Sequence, residues 1–150
     1  MPKIDLDAIA QSNSTGYPPV HARDVEGRWV RRMTPLLGLT DFGVSHVTLK
    51  PGAWSSQRHW HEAEDELVVM IAGEAVLIDD SGRTPMRAGD MAVFPKNDGN
   101  GHHLVNESDA DCVFAAVGRP PEGSCHYPDI DLLYAGSQGY AHKDGTPYGV

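Results

Sequence analysis

Long apolar runs are missing from this sequence. None exceeds six residues, as in Leu67 to Ala72, far short of the roughly 18–20 that a membrane-crossing helix needs. The first residues, Met1-Pro2-Lys3-Ile4-Asp5-Leu6-Asp7, hold no apolar stretch of the kind a secretory leader carries. The expected location is therefore the cytoplasm. Cysteine is scarce too, with only Cys112 and Cys125. Two thiols cannot build a zinc finger by themselves, and a structural disulfide would be out of place in a reducing compartment. Cys112, inside Cys-Val-Phe-Ala-Ala-Val, is expected to be a small core residue. Positive charge is also short: 12 Lys and Arg stand against 21 Asp and Glu, for a net charge of −9. Nucleic-acid binding draws most of its affinity from cations on phosphates, so neither nucleic acid nor membrane is expected as a partner. The one basic knot is Arg28-Trp29-Val30-Arg31-Arg32. It has charge enough for a phosphate but is expected to be a solvated strand face.

What is present is a globular mix, 40% hydrophobic and 22% charged over 150 residues, the size of one domain. A chain of this length buries about 70% of its unfolded surface, enough for a real core. Short runs rich in Val, Leu, Ile, Phe and Thr recur at 28–33, 43–50, 54–61, 66–72, 74–79, 83–87, 91–95, 102–106 and 111–117. Turn residues separate many of them, at Pro51-Gly52, Gly73, Asp79-Asp80-Ser81-Gly82, Ala88-Gly89-Asp90 and Asn97-Asp98-Gly99. This pattern predicts an all-β antiparallel sandwich or barrel and no long amphipathic helix. Residues 1–27 and 119–150 lack the pattern. They are expected to be an irregular N-terminal arm and an irregular C-terminal tail, flanking a core domain at 28–118.

Eight histidines are many for this length, and their placement is informative. His59-Trp60-His61 is followed by Glu66, and His102-His103 come later. In a strand, alternate side chains share a face, so His59 and His61 point the same way. Glu66 can reach that side from the next strand, and His102 or His103 can complete the set. Three imidazoles and one carboxylate suit a first-row divalent metal. Four protein ligands leave an octahedral ion two open positions, as catalytic sites do.

At these residues the sequence resembles the cupin superfamily. The first cupin motif, G-x5-H-x-H-x3,4-E-x6-G, is matched by Gly52, His59, His61, Glu66 and Gly73, with one extra residue before His59. The second, G-x5-P-x-G-x2-H-x3-N, is matched by Gly89, Pro95, Gly99, His102 and Asn106, with two extra residues before Gly99. The resemblance implies a jelly-roll β-barrel holding one divalent transition metal per chain (Fe, Mn, Ni, Co, Cu or Zn). By position its ligands are His59, His61, Glu66 and His102. Neighbours on a strand face opposite ways, so His103 is expected outside.

Alternation along the same strands places Ser55, Gln57, Val68, Met70 and Leu104 on the pocket wall, a mixed surface suited to a small-molecule ligand. Glu62, Glu64 and Asp65 are expected in a solvated loop, and Trp60 away from the metal. Gly73 and Gly89 are expected at turns that need positive φ or tight packing. The cupin resemblance implies a metal-dependent enzyme on a small oxygen-rich molecule (a keto acid, diol or sugar derivative), of oxygenase, isomerase or lyase type. The alternative is a non-catalytic cupin that binds or senses a small ligand. No residue is assigned a catalytic role. A phosphate-bearing ligand would want cations, and only Arg58, Arg87 and Lys96 are near the motifs in sequence. Sheet edges and an apolar outer face predict a homodimer. The tyrosines of arm and tail (Tyr17, Tyr127, Tyr134, Tyr140 and Tyr148) are expected to wrap over the barrel or a neighbour. His126 and His142 are read as packing or surface residues.

Overall fold

Alternating burial organises the described part of the computed structural model, residues 2–34 and 36–149. Its strands are β1 (Arg28–Arg32), β2 (Gly43–Leu49), β3 (Trp60–His61), β4 (Glu66–Ala72), β5 (Glu74–Asp79), β6 (Gly82–Arg87), β7 (Met91–Phe94), β8 (His103–Val105), β9 (Cys112–Gly118), β10 (Cys125–Tyr127), β11 (Leu132–Tyr134) and β12 (Tyr140–Ala141). Among the described residues the single α-helix is one turn, Pro19–Ala22, and no helix is long and apolar enough to cross a membrane.

A five-stranded antiparallel sheet runs in the order β1-β2-β9-β4-β7, and a three-stranded sheet in the order β6-β5-β8. On the first, Val47 and Leu49, Val68 and Met70, and Cys112 and Phe114 point inward. Ala75, Met86 and Leu104 of the second meet them in one buried cluster. Each fully buried large side chain here contributes roughly 1.5–3 kcal/mol. The two sheets therefore sandwich the main core. They are not hydrogen-bonded into a closed cylinder, and the architecture is a jelly-roll sandwich.

Gly73 makes the turn between β4 and β5 possible. Its φ is +70°, and a Cβ there would lie 2.6 Å from the Asp111 carbonyl oxygen, so only glycine fits. Gly89 also has positive φ, +94°, as its turn position predicts.

The segment before β3 departs from expectation. Residues 54–61 do not form one strand: only Trp54 and His59 make isolated bridges before β3, to Val105 and His102, and residues 55–58 bend. Ser55 still bonds to Leu104 of β8, but Gln57 bonds to the arm and Arg58 to Gly101 and Asp129. Strict alternation therefore fails there.

Arm and tail are better ordered than their composition indicates. The tail supplies three strands of a third sheet, β12-β11-β10-β3, and the arm bridges Ser12 to Val30 of edge strand β1. They share a second core of Tyr17, Val25, Cys125, Tyr127 and Leu132, with Trp54, Tyr134, Tyr140 and Tyr148 packed against it. Arm and tail, from the two ends of the chain, pack onto each other in this second core.

Candidate metal centre and pocket

Three backbone pairings assemble the site. His59 and His102 face each other in an antiparallel bridge, each N–H donating to the other's carbonyl at 3.2 and 2.9 Å. Side chains directly opposite in such a pair share a face, which puts both imidazoles on one side. Glu66 of β4 is opposite Phe94 of β7, and the Phe94 ring stacks on His102 with centroids 3.5 Å apart. His61 of β3 is opposite Cys125 of β10, so tail and first motif share a face as well.

The polar atoms converge. His59 Nε2 lies 3.1 Å from His61 Nε2, and His61 Nε2 lies 3.2 Å from Glu66 Oε2. His59, His61 and Glu66 each offer a ligand atom within 4.8 Å of the others. His102 adjoins them, its Nε2 3.7 Å from Glu66 Oε1. The other nitrogen of each ring has an acceptor beside it. Nδ1 of His59 is 2.9 Å from the Gln57 carbonyl, and Nδ1 of His102 is 3.3 Å from the Asn100 carbonyl. Nδ1 of His61 is 3.0 Å from Cys125 Sγ and 3.5 Å from Glu64 Oε2. Acceptors at Nδ1 favour the tautomer whose bare Nε2 can bind an ion. The Nε2 of His102 is buried with no hydrogen-bond partner, a cost to folding that an ion would remove. The donor set fits one divalent transition metal.

The electrostatics belong to a coupled cluster. Burial lowers the His59 pKa to about 4. Burial acts the same way on His61, but its contacts with Cys125 and Glu66 outweigh it and raise the pKa to about 10. Burial would raise the Glu66 pKa, but His102 and His61 outweigh it and the carboxyl stays ionised well below its usual range. A negative carboxylate amid neutral or displaceable protons is what a cation needs.

A cavity of 490 Å³ opens over this cluster. Ser55, Val68 and Leu104 line it. Gln57 and Met70 do not. Gln57 turns to the arm, its Nε2 donating to the His21 carbonyl and to Asp24 Oδ2 at 3.0 and 3.1 Å, because residues 55–58 bend out of the strand. Met70, two residues beyond Val68, is 1% exposed and fills the main core beneath the pocket. His103 is not outside: it is buried, with its ring edge-on to Trp54 at 4.8 Å and Nδ1 2.8 Å from the Ser56 carbonyl. The outer face of β8 is covered by the segment 54–56, so the opposite side of that strand is interior too.

Glu64 also departs from the solvated-loop expectation. It is 4% exposed, its Oε1 accepts the amides of Glu122 and Gly123, and its Oε2 faces His61. The tail draws it inward. Glu62, by contrast, pairs with His126, Nε2 to Oε1 2.6 Å, and Trp60 stacks on His126 away from the site. His142 pairs with Asp131. Neither tail histidine joins the cluster.

Most pocket residues that sequence reasoning missed come from distant segments. Tyr17, Cys125, Tyr127, Tyr134 and Tyr140 bring arm and tail to the wall. Arg28 and Arg32 line it as well, which corrects the reading of β1 as a wholly solvated face. Alternation in β1 turns Arg28, buried Val30 and Arg32 inward, while Arg31 donates Nε outward to the Ile9 carbonyl. Arg58, Arg87 and Lys96 are not on this wall. Arg58 is held by Asp129 and Asp80. The one available signal was the period-2 spacing Arg28-x-Val30-x-Arg32.

Comparison with known proteins agrees with this fold. The cupin domain family model matches residues 45–118. A crystal structure of a sugar phosphate isomerase from a cupin superfamily, from Silicibacter pomeroyi, is 40% identical and superposes with a TM-score of 0.91 over 99% of this chain and 97% of that one. This chain belongs to the cupin superfamily. Among other cupin relatives, an oxalate-binding protein of Thermotoga maritima is 33% identical over 73 residues, 49% of this chain and 58% of that protein's length. The polyketide cyclase RemF of Streptomyces resistomycificus, 19% identical with a TM-score of 0.65 over 81% of this chain and 82% of that one, shares the fold. The cupin motif's two-residue extension before Gly99 is accommodated by a left-handed Asn97, φ +58°, whose N–H donates to the His61 carbonyl at 2.7 Å.

Proposed function

We propose that this cupin is a metal-dependent enzyme acting on a small, oxygen-rich molecule, with a sugar phosphate as the favoured substrate class. The observation that carries the reading is the convergence of His59 Nε2, His61 Nε2 and Glu66 Oε2 beneath an open pocket, with His102 beside them. The likeness to the Silicibacter pomeroyi protein over nearly the whole chain supports the substrate class. A divalent ion held there would supply Lewis-acid charge to polarise a substrate oxygen. The chain's own residues do the rest. Burial raises the pKa values of Tyr17, Tyr127 and Tyr140, the last to about 12. These hydroxyls are neutral near pH 7 and serve as hydrogen-bond donors for hydroxyl or carbonyl oxygens, not as bases. Phe94, Val68 and Leu104 give the floor an apolar side that excludes water.

The test is metal analysis of the purified chain followed by an NMR-monitored substrate panel of keto acids, diols and sugar phosphates. One divalent metal per chain and turnover of a panel member are expected. A metal-free preparation that cannot be loaded would overturn the reading.

Non-catalytic capture of a small ligand has one observation in its favour. Glu64, a carboxylate beside the candidate ligands, has Oε1 held by two amides and does not line the cavity, so it is not placed to act on a ligand there. The oxalate-binding relative is compatible with this alternative. Tight ligand binding with no turnover on the loaded protein would select it.

We also propose a two-fold homodimer. The β1 edge is covered by the arm, whereas β7 is an edge on which Met91 and Val93 are 66% and 68% exposed. An uncovered apolar edge strand invites pairing with a second copy. Light scattering should give a dimer mass, and Val93→Lys should shift it toward monomer.

A further inference from the structure

The pocket has a charged wall that the metal cluster does not use. Arg28 and Arg32 project into it from β1, in a chain whose net charge is −9. Arg28 donates Nη1 to the Ser55 carbonyl at 2.9 Å. Its Nε is buried and has no partner among the described residues. An arginine held by one Nη presents its other edge, Nε with Nη2, as the fork that accepts an oxyanion in bidentate fashion. A buried guanidinium with an idle N–H costs stability unless a ligand satisfies it.

The surroundings fit an anion. Tyr17 packs 5.4 Å from Tyr140 and 5.9 Å from Tyr127, centroid to centroid, and all three rings line the cavity beside Arg28. The Tyr17 hydroxyl accepts the Gln57 N–H, which leaves its own proton free to donate. Tyr127 in turn is 5.7 Å from His59. The tyrosines thus line the same cavity as Arg28 and the candidate metal cluster, with Tyr127 reaching to His59. Arg32, exposed at the mouth, adds a second positive charge on the way in.

We propose that Arg28, with Arg32 and the tyrosine hydroxyls, forms a subsite for the phosphoryl group of the ligand, separate from the His59–His61–Glu66–His102 cluster. It rests on the reading of this cavity as the substrate pocket and deepens it. The ligand's phosphate sits on Arg28 while its oxygens at the other end face the histidines. Two guanidiniums match the charge of a phosphate dianion better than that of a monocarboxylate.

Titration calorimetry with inorganic phosphate and with acetate tests this, on the wild-type chain, on Arg28→Gln and Arg28→Lys, and on the double variant His59→Ala/His61→Ala. Phosphate is expected to bind wild type and the metal-site double variant alike. Its affinity is expected to fall about tenfold or more in Arg28→Gln, the loss of one charge-assisted bidentate contact. Arg28→Lys, which keeps the charge and loses the fork, should also bind more weakly and serves as the second variant if Arg28→Gln does not fold. Metal content should be the same in the Arg28 variants as in wild type. Unchanged phosphate affinity in both Arg28 variants would overturn the subsite. So would loss of phosphate binding in the double variant, which would put the anion at the histidine cluster, or acetate binding as tight as phosphate. A wild-type chain that binds no metal yet loses phosphate with Arg28→Gln keeps the subsite and refutes the metal-dependent function alone.

Discussion

His59 and His102 exchange both backbone hydrogen bonds across an antiparallel bridge, and this pairing aims two imidazoles from segments 43 residues apart at one point. A one-residue slip would present His103 in place of His102. The Phe94 ring stacked on His102 holds that register on the second side.

The first prediction concerns metal binding. His59→Ala together with His61→Ala should abolish it, and His102→Ala should weaken it far more than His103→Ala. His103→Ala should instead lower the melting temperature, because its ring is packed on Trp54. Metal stoichiometry and thermal denaturation on the same preparations check both. Full metal content in the double variant would refute the cluster.

Glu64 and Cys125 both face Nδ1 of His61, through which they would act on a bound metal. Glu64→Gln and Cys125→Ala should each reduce metal affinity by about 10–100-fold, as loss of a partner that orients a ligand histidine does. Glu64→Gln keeps a carbonyl for the Glu122 and Gly123 amides, so its melting temperature should change less than that of Glu64→Ala. Competition with a chelator reads the affinity. Equal affinity in both variants and wild type would remove these residues from the site.

Gly73→Ala should destabilise the fold by about 2 kcal/mol or more, because the new Cβ meets the Asp111 carbonyl and the backbone is left-handed there. Gly52→Ala, with φ +82° and open space around it, should cost less, about 1 kcal/mol. Urea denaturation orders the two, and equal costs would contradict the close approach at Gly73.

The Arg58–Asp129 pair sets a pH dependence. The Arg58 side-chain hydrogen bond holds the Asp129 carboxyl below its ordinary value of 3.8. A carboxyl depressed in the folded state stabilises the fold above its unfolded pKa, and that contribution is lost as pH falls through the folded pKa. Arg58→Gln should therefore be less stable than wild type at pH 7, by about 1 kcal/mol for a half-exposed pair. The Asp129-linked part of that gap should narrow below about pH 4. Melting temperatures across pH 2–7 check this, and a gap that widens in acid would contradict it.

The elements whose meaning is local were legible from sequence. Runs such as 66–72 and 111–117 became β4 and β9 because branched and aromatic residues alternate with a partner on each side. His59, His61 and Glu66 lie within eight residues, so a turn and two short strands suffice to gather them. Gln57 was misplaced for the opposite reason: residues 56–58 have no ladder partner between the bridges at Trp54 and His59, and alternation holds only where a neighbouring strand enforces it.

By itself the sequence determined the strand-rich sandwich, its glycine turns and the close grouping of the histidines with Glu66, since each depends on side-chain period and short spacing. Only the tertiary structure decided that Cys125 faces His61, that Glu64 is buried beside it, that Tyr17 meets Tyr127 and Tyr140, and that Arg28 opens into the same cavity. Those contacts join segments tens to more than a hundred residues apart. Their positions follow from sheet register and from the shared core of arm and tail, and register is a property of pairing that no single strand carries.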